Sequence, residues 1–235
     1  VATRYQGRIH AYQIWNEPNL AREWGGQPPS PEEYTQLLSI AYQRIKQADP
    51  NALVISAGLT PTGTLSDQAM PDVTYLERMY QAGFQRYCDM VGVHAAGFKA
   101  PPEVSPDEAA NKEEYGGERF FCFRRVEDLR AIMERYGDSE RRVVVLEFGW
   151  TTDPIHPEYA WHRVTEEQQA DYVVRAYRYA QEHWRPWIGL MSLIYIADSG
   201  WKEEREEYWW AITYPSYPET KVKPAYHALQ EMPKN

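Results

Sequence analysis

Val143-Val144-Val145-Leu146-Glu147-Phe148-Gly149-Trp150 is an apolar run broken by a single carboxylate near its end. Four aliphatic side chains in succession, without the polar alternation of a half-exposed strand, predict a strand covered on both faces, as in a parallel sheet. Comparable runs occupy residues 9–15, 52–59, 90–95 and 188–196, and helical patterns separate them. Ser30-Pro31-Glu32-Glu33 supplies an N-cap, a proline for the first turn and acids beside the positive helix end, followed by Tyr34, Leu37, Leu38, Ala41 and Ile45 at helical spacing. Thr165 with Gln168 predicts a capping box before a helix to about Trp184, and helices are also expected over 73–87, 126–136 and 224–232. The alternation predicts an α/β fold built from βα units, read as one domain over residues 1–235.

Composition narrows the function classes. With 43% hydrophobic and 25% charged residues among 235, the chain can bury a core of ordinary globular size. A formal net charge of -9 and the lack of a Lys/Arg cluster interleaved with aromatics argue against a nucleic-acid partner. No apolar run reaches the roughly 18–20 residues of a membrane-spanning helix, and any leader would lie before Val1. Cys88 and Cys122 are too few for a disulfide framework and are read as buried or free thiols. His156 and His162 lack a third ligand at metal spacing, so neither a metal nor any other cofactor is expected. Aromatics are abundant, with 18 Tyr and 9 Trp, and suit both core packing and the apolar faces of sugar rings.

A second carboxylate matches Glu147 in context. Tyr12-Gln13-Ile14-Trp15-Asn16-Glu17-Pro18-Asn19 places Glu17 where the first apolar run gives way to a loop. Carboxylates at two strand ends suit glycosidic hydrolysis with retention, in which one protonates the leaving oxygen and the other attacks the anomeric carbon. Their pKa values must differ, the acid raised and the nucleophile kept ionised.

Trp15-Asn16-Glu17-Pro18-Asn19 resembles the Asn-Glu-Pro motif on the fourth barrel strand of the clan A retaining glycoside hydrolases. Leu146-Glu147-Phe148-Gly149-Trp150 resembles the nucleophile motif on their seventh strand, and Lys223-Pro224-Ala225-Tyr226 is similar to the start of their last helix. Families 5 and 39 and the cellulase-like hydrolases are the comparisons. The resemblance implies a (β/α)8 TIM barrel represented by strands 4 to 8 with their helices, an N-terminally incomplete catalytic domain. It also implies an oligo- or polysaccharide substrate with β linkages, and a missing N-terminal segment or second chain that completes the barrel. Glu17 would be the general acid/base, Glu147 the nucleophile, and Asn16 a partner of the sugar 2-hydroxyl. His94, Trp150, Tyr195, Trp24 and Trp201 would contact substrate.

Two departures from that pattern stand out. After His94 the family commonly carries an aromatic that bonds the nucleophile, whereas this chain reads Ala95-Ala96-Gly97, leaving Tyr195 to serve. The eighth strand usually ends near a tryptophan, and here Tyr195-Ile196-Ala197-Asp198 stands in its place. The alternatives are a noncatalytic carbohydrate-binding or interaction module on the same barrel remnant, and another hydrolase class on an open α/β sheet. The latter lacks a Gly-x-Ser-x-Gly nucleophile elbow.

Overall fold

The computed structural model describes residues 1–233. In chain order its elements are β1 (Ala11–Gln13), α1 (Pro31–Ala48), β2 (Leu53–Ile55), α2 (Asp72–Gln81), β3 (Val91–Ala96), α3 (Pro106–Ala110), α4 (Arg125–Arg135), β4 (Val143–Gly149), α5 (Pro157–Ala160), α6 (Glu166–His183), β5 (Ile188–Leu193), α7 (Glu206–Trp210) and α8 (Pro224–Glu231). The fold is α/β, with β1 and β2 paired in parallel and β3, β4 and β5 hydrogen-bonded in that order. A parallel bridge also joins Ile55 to Met90, beside the start of β3.

All five apolar runs give a strand, but β1, β2 and β5 are shorter than their runs. Trp15 takes a left-handed backbone at φ 72°, which ends β1 although Ile14 N–H still bonds Ile55 C=O. Beyond Ile55 the backbone turns to other partners: Ala57 N–H donates to the Tyr34 hydroxyl, and Gly58 C=O accepts from Glu17 N–H. The expectation that every strand is covered on both faces fails for β1 and β5. Each lies at the end of its strand order, and Leu190 of β5 remains 59% exposed. β3 and most of β4 are buried as expected.

Both anticipated caps form. Ser30 Oγ accepts from Glu33 N–H at the start of α1, and the Thr165–Gln168 capping box opens α6. Each satisfies backbone donors that a helix start otherwise leaves orphaned. The helical pattern over 73–87 divides into α2 and a 3-10 turn at Phe84–Tyr87, separated by Gly83 in the left-handed region at φ 81°.

Contacts divide the chain into two compact units. The first comprises Val1–His94, Val126–Leu146 and Pro186–Leu190; the second comprises Ala95–Arg125, Glu147–Arg185 and Met191–Asn235. The first is centred on Tyr34, Leu38, Val54, Tyr75, Met79, Phe84, Val91, Leu129 and Val143, all buried. In the second, Phe123 stacks on Trp184 at 4.8 Å and meets Phe148 and Trp150 at 5.7 and 6.0 Å, while α6 packs on α8. Cys88 and Cys122 are buried thiols, as read from the sequence. No helix among the described residues is long and apolar enough to cross a membrane.

Candidate active site

In the first unit, the chain bends sharply around the Asn-Glu-Pro motif. Trp15 and Glu17 both have positive φ, at 72° and 43°, with half-buried Asn16 between them. Side chains disfavour that region by about 1 kcal/mol or more, so local packing must hold the bend. Asn19 supplies much of that hold. It is fully buried, and its Nδ2 donates to the carbonyls of Thr60 and Met70 at 2.9 and 3.0 Å. Its Oδ1 accepts from Thr60 N–H at 3.0 Å. Tyr34, buried in α1, extends the frame: its hydroxyl donates to Ile14 C=O at 3.0 Å and accepts from Ala57 N–H at 2.6 Å. Burial drives its phenol pKa far up, which keeps it neutral.

Glu17 is thereby aimed at His94. Glu17 Oε1 accepts from His94 Nδ1 at 2.9 Å, and Arg22 lies 3.8 Å from Oε2. Burial pushes the Glu17 carboxyl up, but His94, through hydrogen bond and charge, holds it below the usual glutamate value, with smaller help from the Arg22 charge. Gly58 makes the arrangement possible. A Cβ at Gly58 would fall 2.1 Å from the His94 ring, so only glycine lets the buried imidazole reach Glu17. Trp24 stands edge-on between Trp15 and Tyr34, at 5.7 and 6.3 Å.

Glu147 belongs to the second unit and is half-buried within β4. Trp150, expected at the substrate, instead lies in the core, 1% exposed, with Nε1 donating to Ala100 C=O at 2.9 Å. Gly97 explains this placement, because a Cβ there would sit 1.9 Å from the indole. The glycine that stands in the Ala-Ala-Gly departure therefore makes room for Trp150. Tyr195 and Trp201 are brought together edge-on at 5.4 Å, both half-buried. His162 is buried among Phe98, Trp161 and Trp210, where burial lowers its pKa to about 4. The sequence marks Tyr34 only as a helix-face residue and gives no sign of the part played by Gly58, because both roles depend on partners distant in the chain.

No protein-family model and no curated protein sequence matches the chain. Solved structures do match its fold. A family 39 glycoside hydrolase from the gut symbiont Bacteroides cellulosilyticus is 19% identical at a TM-score of 0.63, covering 97% of this chain and 41% of that one. A glucosidase from Croceicoccus marinus is 11% identical at 0.59, with 91% and 40% covered. An α-L-arabinofuranosidase from Thermotoga maritima is 12% identical at 0.60, with 93% and 38% covered. The fold is thus glycosidase-like, α/β with parallel sheets. The chain spans about two fifths of the length of these three structures.

Proposed function

We propose that the chain is the C-terminal part of a TIM-barrel glycoside hydrolase, corresponding to strands 4 to 8, and that it acts by retaining double displacement. The observation that carries this reading is the Glu17 setting: a strained, overdetermined loop in a glycosidase-like fold presents a carboxylate to a buried histidine. Strain of that kind collects at functional sites. The uncovered faces of β1 and β5 are consistent with a partial barrel, which another segment or chain would complete.

In the first step Glu147 attacks the anomeric carbon and the glycosidic C–O bond breaks, the leaving oxygen taking the proton from Glu17. In the second, Glu17 removes a proton from water, the resulting hydroxide equivalent attacks the same carbon, and Glu147 departs as carboxylate. Asn16 would bond the sugar 2-hydroxyl. Tyr195, Trp201 and Trp24 would contact the glycan, and His94 would set the Glu17 pKa. β-Linked substrate is part of the proposal, which the motifs in sequence support. The similar structures include both a glucosidase and an arabinofuranosidase, so fold alone leaves the sugar open.

The reading is tested with aryl β-glycosides. Glu17→Ala is expected to retain the glycosylation step for substrates with activated leaving groups, and Glu147→Ala to abolish it. Equal loss in both variants with activated substrates contradicts the assignment.

One observation favours a second reading, glycan binding without turnover. His94 holds the Glu17 carboxyl below the usual range, whereas a proton donor needs its pKa raised. Retardation in polysaccharide gels without release of aryl alcohol would select that reading.

A further inference from the structure

After β3 and β4, the second unit carries a further aromatic group around His162. Phe121 stands edge-on to both Phe98 and Trp161, at 4.8 and 4.9 Å, while Phe98 and Trp161 lie nearly parallel, 23° apart. His162 packs against both rings, at 5.2 Å from Phe98 and 4.8 Å from Trp161, and its burial keeps it uncharged at neutral pH. Gly116, at φ 98°, fits the backbone against the cluster, since a Cβ there would come within 2.5 Å of Phe121 and 2.8 Å of Trp161. Phe98 itself holds a left-handed backbone at φ 52°. Despite this support, Trp161 remains 41% exposed.

We propose that Trp161, braced by Phe98, Phe121 and Gly116, is a stacking platform for one neutral pyranose ring of a glycan chain. The choice of ligand rests on the glycosidase reading; the geometry sets its size and chemistry. At 41% exposure Trp161 offers on the order of 100 Å², a surface of the scale of one sugar ring. It falls far short of the roughly 800 Å² per partner of a stable protein interface. Stacked nucleobases would bring phosphates to a chain of net charge -9, and uronate-rich polymers would meet the same repulsion. Neutral glycans avoid it. The platform belongs to the unit that contains Glu147, and Trp161 caps α5, the first helix after the strand that carries Glu147.

Affinity electrophoresis of the full chain in gels containing mixed-linkage β-glucan, arabinoxylan, galactomannan or polygalacturonate tests the proposal. At least one neutral polymer is expected to retard the chain, Trp161→Ala to weaken the retention about three- to tenfold, and Trp161→Tyr to keep most of it. Hydroxyl-radical footprinting of the unsubstituted chain, read at Trp161 by mass spectrometry, provides a measurement independent of whether a variant folds. Trp161 is expected to be protected by the retarding polymer. Unchanged retention in Trp161→Ala, unchanged oxidation at Trp161, retardation by polygalacturonate alone, or no retardation at all would overturn the platform. Trp161-dependent retention without turnover keeps the platform and removes the catalytic reading, whereas turnover with Trp161-independent retention does the reverse.

Discussion

His94 Nδ1 donates to Glu17 Oε1 at 2.9 Å, and this contact is the main influence that lowers the carboxyl's pKa against the opposing effect of burial. A buried carboxylate with no partner titrates high; a hydrogen bond to its charged form brings it down. His94→Ala is therefore expected to raise the Glu17 pKa, read by carbon NMR of the side-chain carboxyl or by the basic limb of kcat/KM. The sign for stability follows from the lowered value. Glu17 contributes stability above its unfolded pKa of roughly 4.3, and that contribution is lost as pH falls through the lower folded value. Acid unfolding of His94→Ala is expected to lose this dependence, at a cost of about 1.5–3 kcal/mol near neutrality. An unchanged Glu17 titration would show that His94 does not set it.

Gly58→Ala tests the space beneath that contact. The added Cβ would lie 2.1 Å from the buried His94 ring, so the imidazole must move away from Glu17. About 1–3 kcal/mol of stability is expected to be lost, as in other overpacked interiors, together with a rise in the Glu17 pKa. A stable variant with an unshifted Glu17 would contradict the packing.

Tyr34→Phe removes a hydroxyl that serves Ile14 C=O and Ala57 N–H together. Both backbone groups would lose that partner next to the motif loop. A cost of about 1–3 kcal/mol is expected in urea unfolding, with little change in the slope. A loss below about 0.5 kcal/mol would mean that neither bond matters.

His156 carries an acceptor at each ring nitrogen: the Asp153 carboxylate 2.6 Å from Nδ1 and the Glu204 carbonyl 3.0 Å from Nε2. A neutral imidazole has one N–H, so only the imidazolium satisfies both. The Asp153 bond, the Glu204 carbonyl and the charges of Asp153 and Glu158 raise its pKa. Its contribution to stability is full below the unfolded value near 6.5 and is lost as pH rises through the higher folded value. Hydrogen exchange around residues 198–206 is expected to quicken across that upper window in the parent chain, with the step absent in His156→Gln. An identical step in both would assign it elsewhere.

Much of the framework was legible because it is written locally. Ser30 before Pro31 and Thr165 three residues before Gln168 act within one helical turn, so the two caps could be read directly and both are present. The apolar runs marked five strands for the same reason. Their coverage was not legible, since an apolar run at an edge reads like one in the middle; Leu190 shows the difference. Trp150 illustrates a further limit. A tryptophan after a strand fits a sugar platform or a core equally well, and Gly97, distant in sequence, decides for the core. Glu17 was identified from its motif, while the sign of its pKa shift depends on His94, 77 positions away.

Mechanism-based labelling tests the central claim most directly. The chain is incubated with 2-deoxy-2-fluoro aryl β-glycosides, digested, and read by mass spectrometry. Double displacement predicts one glycosyl adduct, on the peptide containing Glu147 and at that residue, formed also by Glu17→Ala when the leaving group is activated. An adduct at another residue, or none from a chain shown to bind the same glycosides, would contradict it.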